Sequence, residues 1–121
     1  MYKLLQIADH NVVAEHTLEE GVFGIGRNPG NTVQPDDESV SGNHARITLA
    51  ASAYLDDALE VYIEDLGSTN GTFINGKPVK RQLLKHGDML TLGTLGFKFI
   101  DTQVLAMGGT RILLQEESQE S

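Results

Sequence analysis

The sequence predicts an all-β fold, a sandwich or barrel of many short strands, on three observations. Glycine and other turn-forming residues recur every few positions, with 13 glycines in 121 residues. The apolar residues between them alternate with polar ones, the period of a strand with one face buried. Two Asn-Gly dipeptides, at 70–71 and 75–76, interrupt such runs, and Asn-Gly between alternating segments is a strong hairpin signal. Short strands with frequent turns pack as a sandwich or close as a barrel.

In chain order, Phe23 and Ile25 alternate up to Gly26 and predict a strand ending there. Residues 28–39 are polar, hold Pro29 and Pro35, and read as a loop. Residues 50–58 are Ala-rich and end in Asp56-Asp57, which predicts a wide hairpin loop. Leu59, Val61 and Ile63 share one face of the next strand, with Glu60, Tyr62 and Glu64 on the other. Thr72-Phe73-Ile74 and Lys77-Pro78-Val79 flank Asn75-Gly76 as the arms of a hairpin, and Phe97 and Phe99 mark a late strand. From about residue 101 the character changes. Ala106-Met107-Gly108-Gly109 reads as a linker, and Gln115 to Ser121 as an acidic tail expected to be disordered. The chain thus divides into a β domain over 1–100 and a C-terminal extension over 101–121.

Composition narrows the function. The length fits one domain, and 40% apolar residues suffice for one core. With no Cys, disulfides and thiolate metal sites are excluded; a core held by burial alone suits a cytoplasmic protein. Met1 to Gln6 has no apolar stretch of the secretory kind. No apolar run approaches the ~20 residues of a membrane helix, so no membrane partner is expected. The net charge of -8 comes without the clustered Lys and Arg that counterion release on nucleic acid requires, so nucleic acid is not an expected partner. The four histidines, at 10, 16, 44 and 86, lack metal-helix spacing, and Gly24-x-Gly26 has neither the third glycine nor the following helix of a nucleotide loop. No metal or cofactor is expected. Without a Cys nucleophile, a metal cluster or a Ser-His-Asp arrangement, an enzyme is not expected either.

Three blocks carry the chemistry: Phe23-Gly24-Ile25-Gly26-Arg27, Ser39-Val40-Ser41-Gly42-Asn43-His44-Ala45, and Glu64-Asp65-Leu66-Gly67-Ser68-Thr69-Asn70-Gly71-Thr72-Phe73-Ile74-Asn75-Gly76. Arg27, after a glycine at a strand end, offers a fixed fork of donors suited to a phosphate dianion, or is a solvated surface arginine. The Ser41 and Thr69 hydroxyls can donate to phosphate oxygens or cap their own turns. Asn70 can hold a left-handed turn or clamp a peptide main chain.

In order and spacing the three blocks resemble the forkhead-associated (FHA) family. Its signature is Gly-Arg at a strand end, Ser-x-x-His, then Asp-x-x-Ser-x-Asn-Gly-Thr-x-x-Asn-Gly. His86-Gly87-Asp88 and Leu90-Thr91-Leu92-Gly93 match its closing strands, and the likeness covers residues 1 to about 100. The resemblance implies a two-sheet β-sandwich of about 11 short strands with ligand-binding loops at one pole. It implies that Arg27 and Ser41 bind phosphate, that Thr69 assists, and that Asn70 holds the main chain beside a phosphothreonine. His44 becomes a buried hydrogen-bonding post that shapes the Ser41 loop. Gly26 gives a tight backbone turn before Arg27, and Gly71, Asn75 and Gly76 are turn residues.

One position departs from the pattern. Directly after the Ser of the second block the family often carries Arg, Lys or Asn, which adds a phosphate contact. Here Gly42 offers only its backbone N–H. A charge-assisted hydrogen bond contributes roughly 1.5–3 kcal/mol, so its loss weakens binding about ten-fold or more unless Arg46 or Lys77 compensates.

The function implied is docking onto a threonine-phosphorylated protein, with a Ser/Thr kinase in the same cell. Because the chain is acidic, recognition needs a local donor cluster rather than long-range steering. The alternative is a structural module of the same fold that binds an unphosphorylated partner, as some secretion-apparatus relatives do. Arg27, Ser41 and Asn70 favour the first and Gly42 the second. The family commonly reads the residue three positions after the phosphothreonine, often Ile, Leu or Asp. Thr102 has Leu105 there and Thr110 has Leu113. The extension is therefore a candidate ligand, or else its apolar residues cover the sandwich. From Ile100 to Thr110 the chain reaches at most about 33–36 Å. A phosphorylated tail leaving the opposite pole would thus dock head-to-tail on a neighbouring molecule.

Overall fold

The computed structural model describes residues 1–52 and 59–106. Ten strands are formed among them: β1 (Tyr2–Ala8), β2 (Asn11–Leu18), β3 (Gly21–Ile25), β4 (Ala45–Ala51), β5 (Leu59–Asp65), β6 (Thr72–Ile74), β7 (Lys77–Pro78), β8 (Arg81–Leu83), β9 (Met89–Leu92) and β10 (Leu95–Asp101). A short helix, α1 (Thr102–Ala106), follows. The strands form a six-stranded sheet in the order β2-β1-β10-β9-β6-β7 and a four-stranded sheet in the order β3-β4-β5-β8. All strand pairs are antiparallel. The architecture is a two-sheet sandwich.

Alternation explains which side chains lie between the sheets. Ala45, Ile47 and Leu49 of β4 and Val61 and Ile63 of β5 are buried, facing Leu90 and Leu92 of β9 and Phe97 and Phe99 of β10. Leu4 of β1 and Ile25 of β3 complete the interior. Burying each such side chain contributes about 1.5–3 kcal/mol, which makes this layer the main support of the fold.

The two Asn-Gly dipeptides behave differently. Ile74 pairs with Lys77 across Asn75-Gly76, and both turn residues have positive φ (51° and 84°), the geometry of a two-residue type I′ hairpin. At Asn70-Gly71 only the glycine has positive φ (87°), and the segment carries the chain from β5 in one sheet to β6 in the other. It is a crossover and not a hairpin. The β1–β2 hairpin uses Asp9 and His10 at φ 50° and 66°, with Ala8 paired to Asn11.

Two further expectations need correction. Ala50 and Ala51 belong to β4, paired with Glu60 and Leu59, so the connection predicted over 50–58 starts later; 53–58 lie outside the described residues. The change of character near 101 is the start of a helix. The Asp101 carboxylate accepts from the Gln103 N–H at 2.9 Å as an N-cap, and the Thr102 N–H and hydroxyl both donate to the Met1 carbonyl (2.9 and 3.1 Å). Thr102 is thus bonded into the fold beside Met1. Met107 and the residues after it, Thr110 included, lie outside the described residues. Tyr2 pairs with Asp101 and Ile7 with Gly96, so the two chain termini of the sandwich share the pole opposite the β9–β10 turn.

Candidate functional site

At that other pole three connections meet: β3–β4 (26–44), β5–β6 (66–71) and the β9–β10 turn (93–94). The first begins where β3 ends. The Arg27 N–H donates to the Ser41 carbonyl (3.2 Å) and the Asn28 N–H to the Gly42 carbonyl (2.9 Å), so both arms of the loop run side by side. Gly26 is required here for a reason other than the tight turn expected of it. Its φ is not positive, but a β-carbon on it would lie 2.1 Å from the Gly42 carbonyl oxygen. The glycine permits close approach of two backbones.

Arg27 is exposed, and its Nε donates to the Val40 carbonyl at 2.7 Å. That bond fixes the guanidinium plane. The two terminal nitrogens have no partner among the described residues, so the forked end is open to an anion.

His44 is fully buried and joins two of the loops. Its Nδ1 accepts the Ser41 N–H (3.0 Å), so the proton of the neutral ring sits on Nε2, which donates to the Gly71 carbonyl (2.9 Å). The Ser41 Oγ accepts the Thr69 N–H at 3.0 Å and keeps its own proton to donate. Thr69 and Asn70 are exposed, and Asn70 Nδ2 donates to the Ser39 carbonyl at 2.8 Å. The other Asn70 amide N–H and the amide oxygen have no partner among the described residues. Arg27, Ser41, Gly42, Thr69 and Asn70 are therefore brought to one pole.

Asn75 and Gly76 are not. They turn the β6–β7 hairpin, and Asn75 does more than turn. Its Oδ1 accepts the Met89 N–H (2.9 Å) and its Nδ2 donates to Asp88 (3.0 Å), pinning the hairpin to β9. The two proposed compensators for Gly42 are engaged elsewhere: Arg46 pairs with Glu64 at 3.2 Å, and Lys77 lies on β7 opposite Ile74. No described contact joins either to Arg27 or Ser41.

Several organising residues were given no role by sequence reasoning. Asp65 ends β5 and accepts from the N–H groups of Gly67 and Ser68 and the hydroxyls of Ser68 and Thr72. Partial burial pushes its pKa up, but these four bonds together hold the carboxyl below its ordinary value. Asn31 Nδ2 bridges the Asn28 and Gly42 carbonyls and Asn43. Asp37 accepts from the Ser39 hydroxyl (2.6 Å) and N–H (2.8 Å) and, more weakly, from the Thr94 hydroxyl (3.2 Å). The Ser39 bonds are the main reason its carboxyl too lies below the ordinary value. The spacing Asp37-x-Ser39 is that of an Asx turn, a signal present in the sequence. Among the described residues no three His, Asp or Glu side chains group as a metal site.

The assembled pole presents a guanidinium fork, two hydroxyls and a carboxamide, with no nucleophile–base pair among them. Donors of these kinds can bind an anion, and a carboxamide can both donate to and accept from a peptide main chain. The family model described as the FHA domain matches residues 23–93, which contain all of these groups. The chain belongs to the FHA domain family. Among curated proteins it is similar to the glycogen accumulation regulator GarA of Mycobacterium tuberculosis, 30% identical over 90 residues that cover 74% of this chain and 51% of GarA. This FHA chain spans about half the length of the curated relatives it matches. Among solved structures it is similar to the FHA domain of the CT664 protein from Chlamydia trachomatis (30% identity, TM-score 0.71, covering 83% of this chain and 96% of that one). It is also similar to a domain solved in a study of phosphothreonine-dependent FHA domain interactions (28% identity, TM-score 0.69, 83% and 95%).

Proposed function

We propose that this FHA domain binds phosphothreonine in a partner protein and docks reversibly onto it in Ser/Thr kinase signalling, without catalysing a reaction. The observation that supports the reading most is the open end of Arg27 beside the Ser41 hydroxyl, both held by backbone bonds. His44 couples that half of the site to the loop carrying Thr69 and Asn70. Arg27 and Ser41 meet the phosphate, Thr69 assists, and Asn70 takes the peptide main chain. Such docking needs the partner and its Ser/Thr kinase in the same compartment as this protein, which the reading takes to be the cytoplasm. The C-terminal extension is itself a candidate ligand in a neighbouring molecule. Because the Thr102 hydroxyl donates to the Met1 carbonyl at the far pole, that role falls to Thr110.

The test is binding to a phosphothreonine peptide library with matched unphosphorylated peptides. Binding confined to phosphorylated members supports the reading. Equal binding of both sets favours a scaffold for an unphosphorylated partner, the reading that Gly42 supports.

A further inference from the structure

We propose that Asn28 is a phosphate ligand of this site, its carboxamide donating from the space that the glycine at position 42 leaves open. The proposal rests on the phosphothreonine-binding reading above and adds a residue to it.

Asn28 follows Arg27, and Gly42 follows Ser41. The two dipeptides lie directly against each other, bonded from the Arg27 N–H to the Ser41 carbonyl and from the Asn28 N–H to the Gly42 carbonyl (3.2 and 2.9 Å). Asn28 is therefore the next residue along from both groups that offer donors to the anion. Its backbone is fixed on the other side as well, since its carbonyl accepts from Asn31 Nδ2 at 3.0 Å. Its side chain is exposed, and the carboxamide has no hydrogen-bond partner among the described residues.

Gly42 explains where that carboxamide sits. A β-carbon at position 42 would lie 2.7, 2.8 and 2.9 Å from Nδ2, Oδ1 and Cγ of Asn28. Any other residue at 42 would have to displace the amide. Gly42 has no positive φ, so backbone conformation does not demand the glycine. What the glycine accommodates, as the loop is arranged, is the neighbour's side chain. Glycine at 42 and asparagine at 28 thus form a reciprocal pair, in which the polar group missing from one strand of the loop is supplied by the other. The donor is neutral, so it strengthens the anion site without adding a charge to it.

The test uses the full chain and one phosphothreonine peptide chosen from the library, titrated by calorimetry. Asn28→Ala is expected to weaken binding about ten-fold or more, the range for loss of a hydrogen bond to a charged group. Asn28→Asp, of the same shape, is expected to weaken it further, because a carboxylate then faces the phosphate. Gly42→Ala is expected to weaken binding in the native background and to have little effect on top of Asn28→Ala. In the unsubstituted protein, the Asn28 side-chain amide proton resonances should shift when the phosphopeptide is added, a readout that needs no variant to fold. Asn28→Ala within two-fold of native, with those resonances unmoved, overturns the proposal while leaving phosphothreonine binding intact. Loss of binding in none of the variants, Arg27→Ala included, would instead overturn the assigned site as a whole.

Discussion

Asn70 reaches the Ser39 carbonyl across 2.8 Å, and Ser39 is itself gripped by its neighbours. Asp37 accepts its N–H and hydroxyl, Thr94 donates its N–H to the Ser39 Oγ at 2.8 Å, and a β-carbon on Gly93 would stand 2.3 Å from the Ser39 carbonyl oxygen. The residue assigned to the peptide main chain is thus aimed by a cluster drawn from two neighbouring loops.

Asp37→Ala should accordingly weaken phosphopeptide binding by about three- to ten-fold and add little to Asn70→Ala, since linked residues are not additive. Calorimetry on the two single variants and the double variant measures the coupling. Full additivity would mean that Asp37 does not act through Asn70.

Much of this was legible in the sequence, and the exceptions have physical causes. Alternation at Leu59, Val61 and Ile63 exposed the strand period, and Asn75-Gly76 named its own hairpin, because those signals are local. The Asn70-Gly71 pair misled because a dipeptide does not reveal which sheet the next strand joins. Gly26 was read as a turn residue when its constraint is the Gly42 carbonyl, sixteen positions away in sequence. Asn31 escaped notice for the same reason, since it works by bonds to Gly42 and Asn43 on the other arm of the loop; Asp65 and Asp37 were left without a role although their main bonds, to Ser68 and Ser39, are local. Of the site, Arg27, Ser41, Thr69, Asn70 and the His44 post were named from the family pattern, and the parts played by Asn28, Asn31 and Asp37 were not.

Asp65 predicts an acid-sensitive fold. Its carboxyl is held below the ordinary value in the folded chain, so the stability it contributes is present above the unfolded-state pKa of about 3.9 and is lost as pH falls through the lower folded value. Melting temperatures measured from pH 6 down to pH 2 should fall at the acid end. Asp65→Asn should be less stable at pH 6 and should show a flatter decline. Parallel curves for the two proteins would contradict this.

Removing the His44 ring leaves the half-buried Ser41 N–H without a partner and the Gly71 carbonyl with only the long bond from the Gly93 N–H (3.4 Å). His44→Ala should cost about 2–4 kcal/mol of stability, from one unsatisfied donor, a weakened acceptor and a lost buried side chain. Urea denaturation reads the difference. A loss below about 0.5 kcal/mol, the range of ordinary surface changes, would show that the two loops do not depend on it.

Gly26→Ala places a methyl 2.1 Å from backbone on the opposite arm of the loop, where no flexible side chain can yield. The arms must separate, which should lower stability by about 1–3 kcal/mol and weaken phosphopeptide binding at the same time. Denaturation and calorimetry on one sample check both. Native affinity in this variant would show that the bonded pairing of the arms is not needed for binding.

The central claim is that phosphate is recognised by the open end of Arg27. At neutral pH a phosphothreonine carries close to two charges, its second pKa being about 6. The most direct measurement is calorimetric titration of one phosphothreonine peptide into the native protein and into Arg27→Ala, with the unphosphorylated peptide as reference. The account predicts binding of the phosphorylated peptide alone, weakened at least about ten-fold in a variant that remains folded. A folded Arg27→Ala protein that binds the phosphopeptide with native affinity would contradict it.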